Sequence, residues 1–359
     1  MRQPSSLSIP FVFGALVLIG PQLQGQEEPT ETPSIPLVFH EAKKVGLDLV
    51  GMGIELTLPP KCEKNGAIAF LGIDFHPGGS GRFAVYEVEA PGKYRSFNFE
   101  TLGLRKVEAS NAFAIDDDGV AYMVVKAVTS EEASKSEKTP IHPFLVSFDR
   151  DGHVHSENAL PSNEIVTGLG VFPSGELLAA VKDPDGTGTW KILAADGHSL
   201  RDTPPESPHS AKIDILKATE GQTMATIPEI TPWQGNLLTL YVGKGRVTEW
   251  RGSGVTRTVD LKTPKDLSAM GMIPSAKGNW MILLGKHVES IPELGGIPGT
   301  LPDSVGEFDP VSGEFIRIYR TSDGNTGLGF ACFQDGVFTY LKQDPKDGSL
   351  LIGSASVEK

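Results

Sequence analysis

The chain has 359 residues, 39% of them hydrophobic and 8% aromatic, which is enough apolar material for a real core and excludes a disordered protein. The formal charge is −13 and Lys and Arg are nowhere clustered, which excludes a protein built to grip nucleic acid or anionic lipid, because such binding draws on grouped cations that release counterions.

Residues 1–25 differ in kind from the rest of the chain. Arg2 is their only charge, an apolar run spans Ile9 to Ile19, and Pro21 to Gly25 ends it. The run is shorter than the roughly 20 apolar residues a helix needs to cross a hydrocarbon core, so it reads as the apolar part of a cleaved signal peptide, with the scissile bond near Gly25. Leu23 stands where a smaller residue is commoner, and an uncleaved anchor is the alternative. The first cysteine is Cys62, too late to carry a lipid at a new N-terminus, so the expected product is secreted or periplasmic and free of the membrane. Loss of residues 1–25 removes Arg2 alone and leaves the remainder more acidic still.

Gln26 to Pro36 reads QEEPTETPSIP, a stretch of Pro, Glu and Thr with too little apolar surface to fold, and is expected to be a flexible leader. Residues 37–359 then form a single domain, continuous from about Val45, because no comparable linker recurs. Helical periodicity is nearly absent. Apolar runs of 4 to 8 residues, rich in Val, Ile, Phe and Tyr, are punctuated by a share of 41 glycines and 27 prolines, which predicts an all-β fold with many turns. The apolar stretch GLDLVGMGIELTLP at 46–59 precedes the first repeat and is expected to complete the last one, pairing the two ends of the chain.

The chain then repeats itself. AFAIDDDGVAYMVVK (112–126), LGVFPSGELLAAVKD (169–183), ITPWQGNLLTLYVG (230–243), MIPSAKGNWMILLG (272–285) and FACFQDGVFTYLKQ (330–343) share one form: apolar strand, polar turn with Gly, second apolar strand. GIDFHPGGSGRFAVYEV (72–88) is a looser copy. A second hairpin comes after each copy, so each unit holds about four strands, the content of a propeller blade. Segments 127–142, 203–227 and 286–303 are expected to be inserted loops. At each D-x-G the Asp bonds its own backbone and the Gly supplies positive φ, so these residues report folding.

NAFAIDDDGVAYMVV and its copies resemble the repeats of six-bladed β-propellers of the broad NHL and TolB-like kind. The resemblance implies a ring of sheets over most of residues 65–357. A seven-bladed ring or two paired β-sandwiches are the alternative architectures. Ring closure would make the first and last blades neighbours, and Cys62 and Cys332 would then lie close enough for one disulfide; free core thiols are the alternative.

Chemical motifs are sparse. DPDG at 183–186 lacks the later acidic ligands of a calcium loop, and His153 and His155 share a strand face without a third zinc ligand. No Gly-x-Ser-x-Gly, His-x-x-x-His or Cys-x-x-Cys occurs, so neither a metal nor another cofactor is expected. Some propellers are enzymes: regucalcin-like lactonases hold a metal with Glu, Asn and Asp at the central mouth, and quinone-dependent sugar dehydrogenases use His and Arg there. The blade geometry implied by the resemblance puts Asn65, Asn111, Lys126, Thr167, Lys182, Asp183 and Lys342 near one rim, and its lysines do not suit a carboxylate cage. Of these, Asn111, Lys126, Thr167, Lys182 and Asp183 form the candidate ligand-binding rim, since Lys126 and Lys182 both lie seven residues past their turn glycines, Gly119 and Gly175. The function expected is an exported binding or scaffold module, monomeric, for a protein, peptide or glycan. A hydrolase or oxidoreductase with its site in the central funnel is the alternative.

Overall fold

The computed structural model of the chain describes residues 34–46, 54–56, 60–63, 65–74, 82–98, 101–102, 105–129, 142–161, 165–182, 188–194, 200–202, 229–241, 245–252, 254–275, 278–291, 297–321, 330–344 and 346–357. The expected signal peptide and residues 26–33 of the expected leader lie outside them.

Every named element is a strand. First come β1 (Ser34–Phe39) and β2 (Lys43–Lys44). A first run holds β3 (Ile54–Leu56), β4 (Lys61–Cys62), β5 (Ile68–Asp74), β6 (Arg82–Ala90) and β7 (Lys93–Asn98), with β3 and β4 both paired to β5. The second holds β8 (Thr101–Leu102), β9 (Arg105–Ile115), β10 (Ala121–Thr129), β11 (His142–Phe148) and β12 (Val154–Ala159). The third holds β13 (Ile165–Val171), β14 (Leu177–Lys182), β15 (Gly188–Leu193) and β16 (Leu200–Asp202). The fourth holds β17 (Glu229–Trp233), β18 (Asn236–Tyr241), β19 (Arg246–Arg251) and β20 (Gly254–Asp260). The fifth holds β21 (Leu267–Ile273), β22 (Trp280–Ile291), β23 (Ile297–Phe308) and β24 (Phe315–Thr321), and the last holds β25 (Phe330–Gln334), β26 (Val337–Gln343) and β27 (Leu350–Val357). Within each run neighbouring strands pair antiparallel. By hydrogen bonding the described residues form five sheets, because β1 pairs antiparallel with β27 and parallel with β24 and so fuses the last two runs into one nine-stranded sheet. The protein is all-β, a propeller-like arrangement of small sheets.

Both faces of these sheets are buried, each against the next run. Leu71, Val85 and Phe97 of the first run pack on Phe113 and Met123 of the second; Ala112 and Val124, one residue along, pack instead on Leu169 and Leu177 of the third. Phe172 and Leu178 meet Leu237 and Trp250, and Leu238 and Leu240 meet Ile282 and Trp280. Met281 and Val305 meet Phe338 and Tyr340, and Cys332 and Leu341 return to Ile68 and Phe70 of the first run. Successive side chains point to opposite faces of a strand, so a strand buried on both faces reads as a continuous apolar run. Innermost strands crowd at the centre: a Cβ on Gly170 of β13 would lie 2.4 Å from Ile230 Cγ2 of β17.

The turns that join innermost to second strands carry Gly66, Gly119, Gly175, Gly235, Gly278 and Gly336, all with φ between 77° and 87°. Only glycine takes such a φ without strain, which is why these positions are legible in the sequence. Asp116 Oδ1 accepts from the backbone of Asp118 and Val120, both at 2.9 Å, and Asp149 Oδ1 does the same for Asp151 and His153.

Several expectations are corrected. The looser copy at 72–88 spans the second and third strands of its run; its true first hairpin is β4–β5, closed by Gly66. Ile54–Leu56, from the stretch expected to finish the last unit, pairs with Asp74–Gly72 of β5 instead. The closing strand is β1, whose Ser34, Ile35 and Pro36 fall within the expected leader and domain start. Segment 286–303 is largely a lengthened β22–β23 hairpin, in which Lys286 pairs with Leu301 and Ile291 with Ile297. Residues 130–141 and 203–227 lie outside the described residues. At the centre, Cys62 of β4 and Cys332 of β25 form a disulfide 270 residues apart in sequence.

Closure therefore acts at two radii, the disulfide inside and β1 outside. Leu37, 2% exposed, seats β1 between the last two runs. Leu37→Ala should lower unfolding free energy by about 2–5 kcal/mol, against less than about 0.5 kcal/mol for the exposed Val38→Ala. Replacing both cysteines by Ala should cost about 2–5 kcal/mol by removing a constraint on the unfolded chain. Urea midpoints at constant m-value check both.

Candidate functional site

Strand direction sorts the connections into two groups. Innermost-to-second and third-to-fourth turns gather at one end of the inner strands and are tight, as at 116–119, 149–152, 234–235 and 335–336. Connections from second to third strands, and from each run to the next, belong to the other end, and it is there that the sequence is long between strands, as at 130–141, 203–228 and 322–329.

The candidate rim residues fall toward this second end, with some surprises of register. Asn111 is inside β9, and Thr167 inside β13, each as the extra residue of a β-bulge: pairing passes from Ala112 to Ser110 and from Gly168 to Val166. Met270 holds the same place in β21, and Ala331 is the extra residue of a bulge in β25 nearer its turn, five residues before Gly336. Asn111, Thr167 and Met270 all lie eight residues before their turn glycines. A bulge leaves one residue unpaired and re-aims its side chain. Thr167 Oγ1 donates to the carbonyl of Ala180 at 3.3 Å. Lys126 and Lys182 are both half-buried near the ends of second strands, opposite Ala109 and Ile165. Lys342 occupies the same part of β26, with Nζ 5.8 Å from the Tyr340 ring centre. Asp183 lies outside the described residues. Asn65 belongs to the opposite end, where its Oδ1 accepts from Ala67 N at 2.8 Å in the β4–β5 turn.

A second group was not singled out in the sequence. Lys61 of β4 reaches across the centre and donates to the carbonyls of Phe113 in β9, at 2.5 Å, and Leu169 in β13, at 2.7 Å, with Nζ 4.7 Å from the Phe113 ring centre. One side chain thus ties three innermost strands. Two residues on, Glu63 is half-buried near Lys61, Glu87, Arg95 and Asp117. The available signal was the charged run Lys61-Cys62-Glu63-Lys64 shortly before the turn glycine Gly66.

Other buried charges are satisfied in place. Glu87, Glu249 and Glu307 lie on third strands and face Arg95, Arg257 and Arg317 on the outer strands, with Nε–Oε2 distances of 2.5, 2.6 and 2.9 Å. Asn236 donates to Glu249 at 2.6 Å, Asn279 to Glu307 at 2.5 Å, and the Tyr319 hydroxyl to Glu307 at 2.6 Å. A buried carboxylate needs such partners, so these networks serve the fold. Asp149, Asp151 and His153 come together in an exposed turn. The backbone N–H groups of His153 and then Asp151 hold the Asp149 carboxyl below its ordinary range, which accounts for the group as a turn.

No protein-family model and no curated protein matches the chain. Solved structures do. A member of the DUF4221 family from Bacteroides vulgatus superposes at TM-score 0.53 and 10% identity, over 90% of this chain and 98% of that one. Virginiamycin B lyase from Staphylococcus aureus gives 0.41 at 13% identity, over 90% and 100%. YCF48 bound to D1 peptide gives 0.40 at 12%, over 90% and 98%. Of the three, the first carries an argument, and what it shows is a propeller-type fold.

The Glu63 carboxyl is pushed up to about 8 from an ordinary 4.5, first by burial and next by the Glu87 carboxylate, against which Lys61 pulls it down. The folded chain then keeps a proton that the unfolded chain has lost, so this group's stability contribution is full below about 4.5, declines as pH rises, and is gone above about 8. Glu63→Gln should remove that decline. Its urea midpoint, relative to wild type, should climb between pH 5 and pH 8; a constant offset would refute the assignment.

Proposed function

We propose that the chain is an exported six-bladed binding or scaffold module of the NHL/TolB-like kind, secreted or periplasmic, that engages a protein or peptide at the rim holding Asn111, Lys126, Thr167, Lys182 and Asp183. The observation that carries this reading is the repeated bulge. Asn111 and Thr167 occupy equivalent unpaired positions on neighbouring innermost strands, and equivalent half-buried lysines stand beside them on the second strands. The strands thus place Asn111 and Thr167 at matched backbone positions, toward the end to which the strand order assigns the long stretches of sequence between strands, as binding surfaces on stable scaffolds require. A glycan would meet the same polar groups. The acidic chain, with pI near 5.1, favours a partner carrying compensating positive charge outside the lysine positions.

A funnel enzyme is the second reading, and Glu63 is the observation that favours it: a carboxyl held protonated near neutrality beside a lysine suits proton transfer. It lies at the tight-turn end, so variants separate the two readings.

Peptides selected by display against the purified chain should bind at the rim. Lys182→Ala combined with Asp183→Ala should weaken them on the order of tenfold or more, and Asp117→Ala combined with Ser174→Ala, at the tight-turn end, should leave them unchanged. Equal losses from both pairs would refute the rim.

A further inference from the structure

The second strand of the fifth run, β22, is flanked by a bulge on each side. Against β21, pairing passes from Ala269 with Leu284 to Gly271 with Leu283, leaving Met270 extra; against β23, it passes from Ser304 with Leu284 to Pro302 with Gly285, leaving Asp303 extra. Among the described pairings no other second strand is treated this way. β10, β14 and β26 are bulged only against their innermost strands, and β5 and β18 not at all. Met270 occupies the backbone position of Asn111 and Thr167, so Asp303 belongs to the same end of the ring as they do. Met270 is itself buried and apolar. In this run the polar side chains at that level come from the third strand.

Two of them are unsatisfied. Asp303 Oδ2 and Ser304 Oγ are both shut off from solvent, and among the described residues neither has a hydrogen-bond partner. Ser304 is 2% exposed, whereas Asp303 as a whole is half-buried, so solvent reaches the residue beside its inward oxygen. Four residues along the same strand Glu307 is treated differently: Asn279, Arg317 and Tyr319 all meet its carboxylate. Lys286 of β22, close by in register, is exposed and does not bond Asp303 Oδ2. The β23–β24 ladder ends at Val305 with Tyr319, so at Asp303 and Ser304 the outer edge of β23 has no described strand partner. The bulge leaves main-chain groups unpaired there as well. An orphaned buried carboxylate oxygen beside an orphaned buried hydroxyl is a feature the fold does not call for.

The acceptors on offer are one inward carboxylate oxygen, one hydroxyl and main-chain carbonyls. A hard metal ion asks for about six oxygens or more, and two side-chain oxygens fall short of that. A guanidinium holds its donors in a planar fork that pairs best with both oxygens of a carboxylate, and only Oδ2 of Asp303 is both buried and unpartnered. An ammonium is compact and carries donors only, so a single carboxylate oxygen and neutral acceptors around it suffice. We propose that Asp303 and Ser304 form a subsite for the ammonium of a lysine side chain on a protein or peptide partner, with Asp303 Oδ2 as counter-charge and Ser304 Oγ as a second acceptor. A lysine stem carries its charge to a recessed oxygen while the partner's main chain stays at the mouth, beside the exposed Leu301. The subsite rests on the reading of this end as a protein- or peptide-binding surface, and it locates the partner's positive charge on the fifth run, away from Lys126 and Lys182.

n-Butylammonium, a lysine side chain without its backbone, probes the subsite whatever the partner. Titrated into the full chain, it should shift the Ser304 and Val305 amide signals saturably, and Asp303→Asn should weaken that binding on the order of tenfold. n-Butyltrimethylammonium has the same charge and no N–H, and should bind weaker by at least as much. No saturable shift, or an equal response from the variant or the methylated probe, would overturn the proposal. Asp303→Asn should leave the urea midpoint unchanged or raised, because the charge it removes has no partner, while Glu307→Gln should lower it. A fall for Asp303→Asn as large as that for Glu307→Gln would assign the carboxylate to the fold and sink the subsite. Peptides selected by display should be enriched in lysine against the wild-type chain and not against Asp303→Asn. Selected peptides without that enrichment would overturn the subsite and leave the rim standing; butylammonium binding with no peptide selected would do the reverse.

Discussion

Burial of both faces of every sheet against its neighbours is the constraint on which the rest depends. A sheet with two apolar faces has no stable existence alone, and a row of such sheets still leaves two faces bare until the last meets the first. Here that meeting is the contact of Cys332 and Leu341 with Ile68 and Phe70. Closure is therefore part of the core. It also forces innermost strands together, which explains why Gly170 must lack a Cβ where Ile230 approaches.

The same constraint explains how charge is distributed. Polar side chains that cannot leave the packed layers are paired across strands, as Glu249 is with Asn236 and Arg257. Arg95 goes further: it pairs with Glu87 in its own run and donates to the Arg150 carbonyl of the next at 3.0 Å, so one guanidinium links two sheets near their tight-turn end. Lys61 does this at the centre with backbone carbonyls, a use that suits an ammonium because it has donors only. These are ties between sheets.

The same physics decides how much was legible in the sequence. Turn glycines and flanking apolar runs were readable because positive φ admits little else and because two-sided burial removes the polar half of the usual alternation. Unit phasing failed in the first run because its innermost strand there is Lys61–Cys62, which carries neither β-branched nor aromatic residues. The closing strand was misplaced for a related reason. Ser34–Phe39 includes Pro36 and comes after a Pro- and Glu-rich stretch, so its composition argues for a leader, while its stability comes from Leu37 and from edges supplied by residues about 280 to 320 positions away. Matched offsets pointed to Asn111 and Thr167, yet nothing local announces a bulge: one extra residue is visible only once the partner strand's register is known.

The two ends of the ring are under different constraints, and this bears on where function can reside. At the tight-turn end the described hairpins carry positive-φ glycines, and several also an Asp that bonds its own backbone, as at Asp116 and Asp309, leaving few positions free to vary. At the other end the sequence between strands is long, and the equivalent bulged positions hold Asn111, Thr167 and Met270, three different residue types in one structural place. Met270 is drawn into the packed layers there, against Gly285, whereas Thr167 stays half-buried, so the bulge keeps a position that takes different side chains. Glu63 is the exception at the constrained end: burial and the neighbouring Glu87 carboxylate hold its carboxyl up near 8, at a cost to stability above neutral pH.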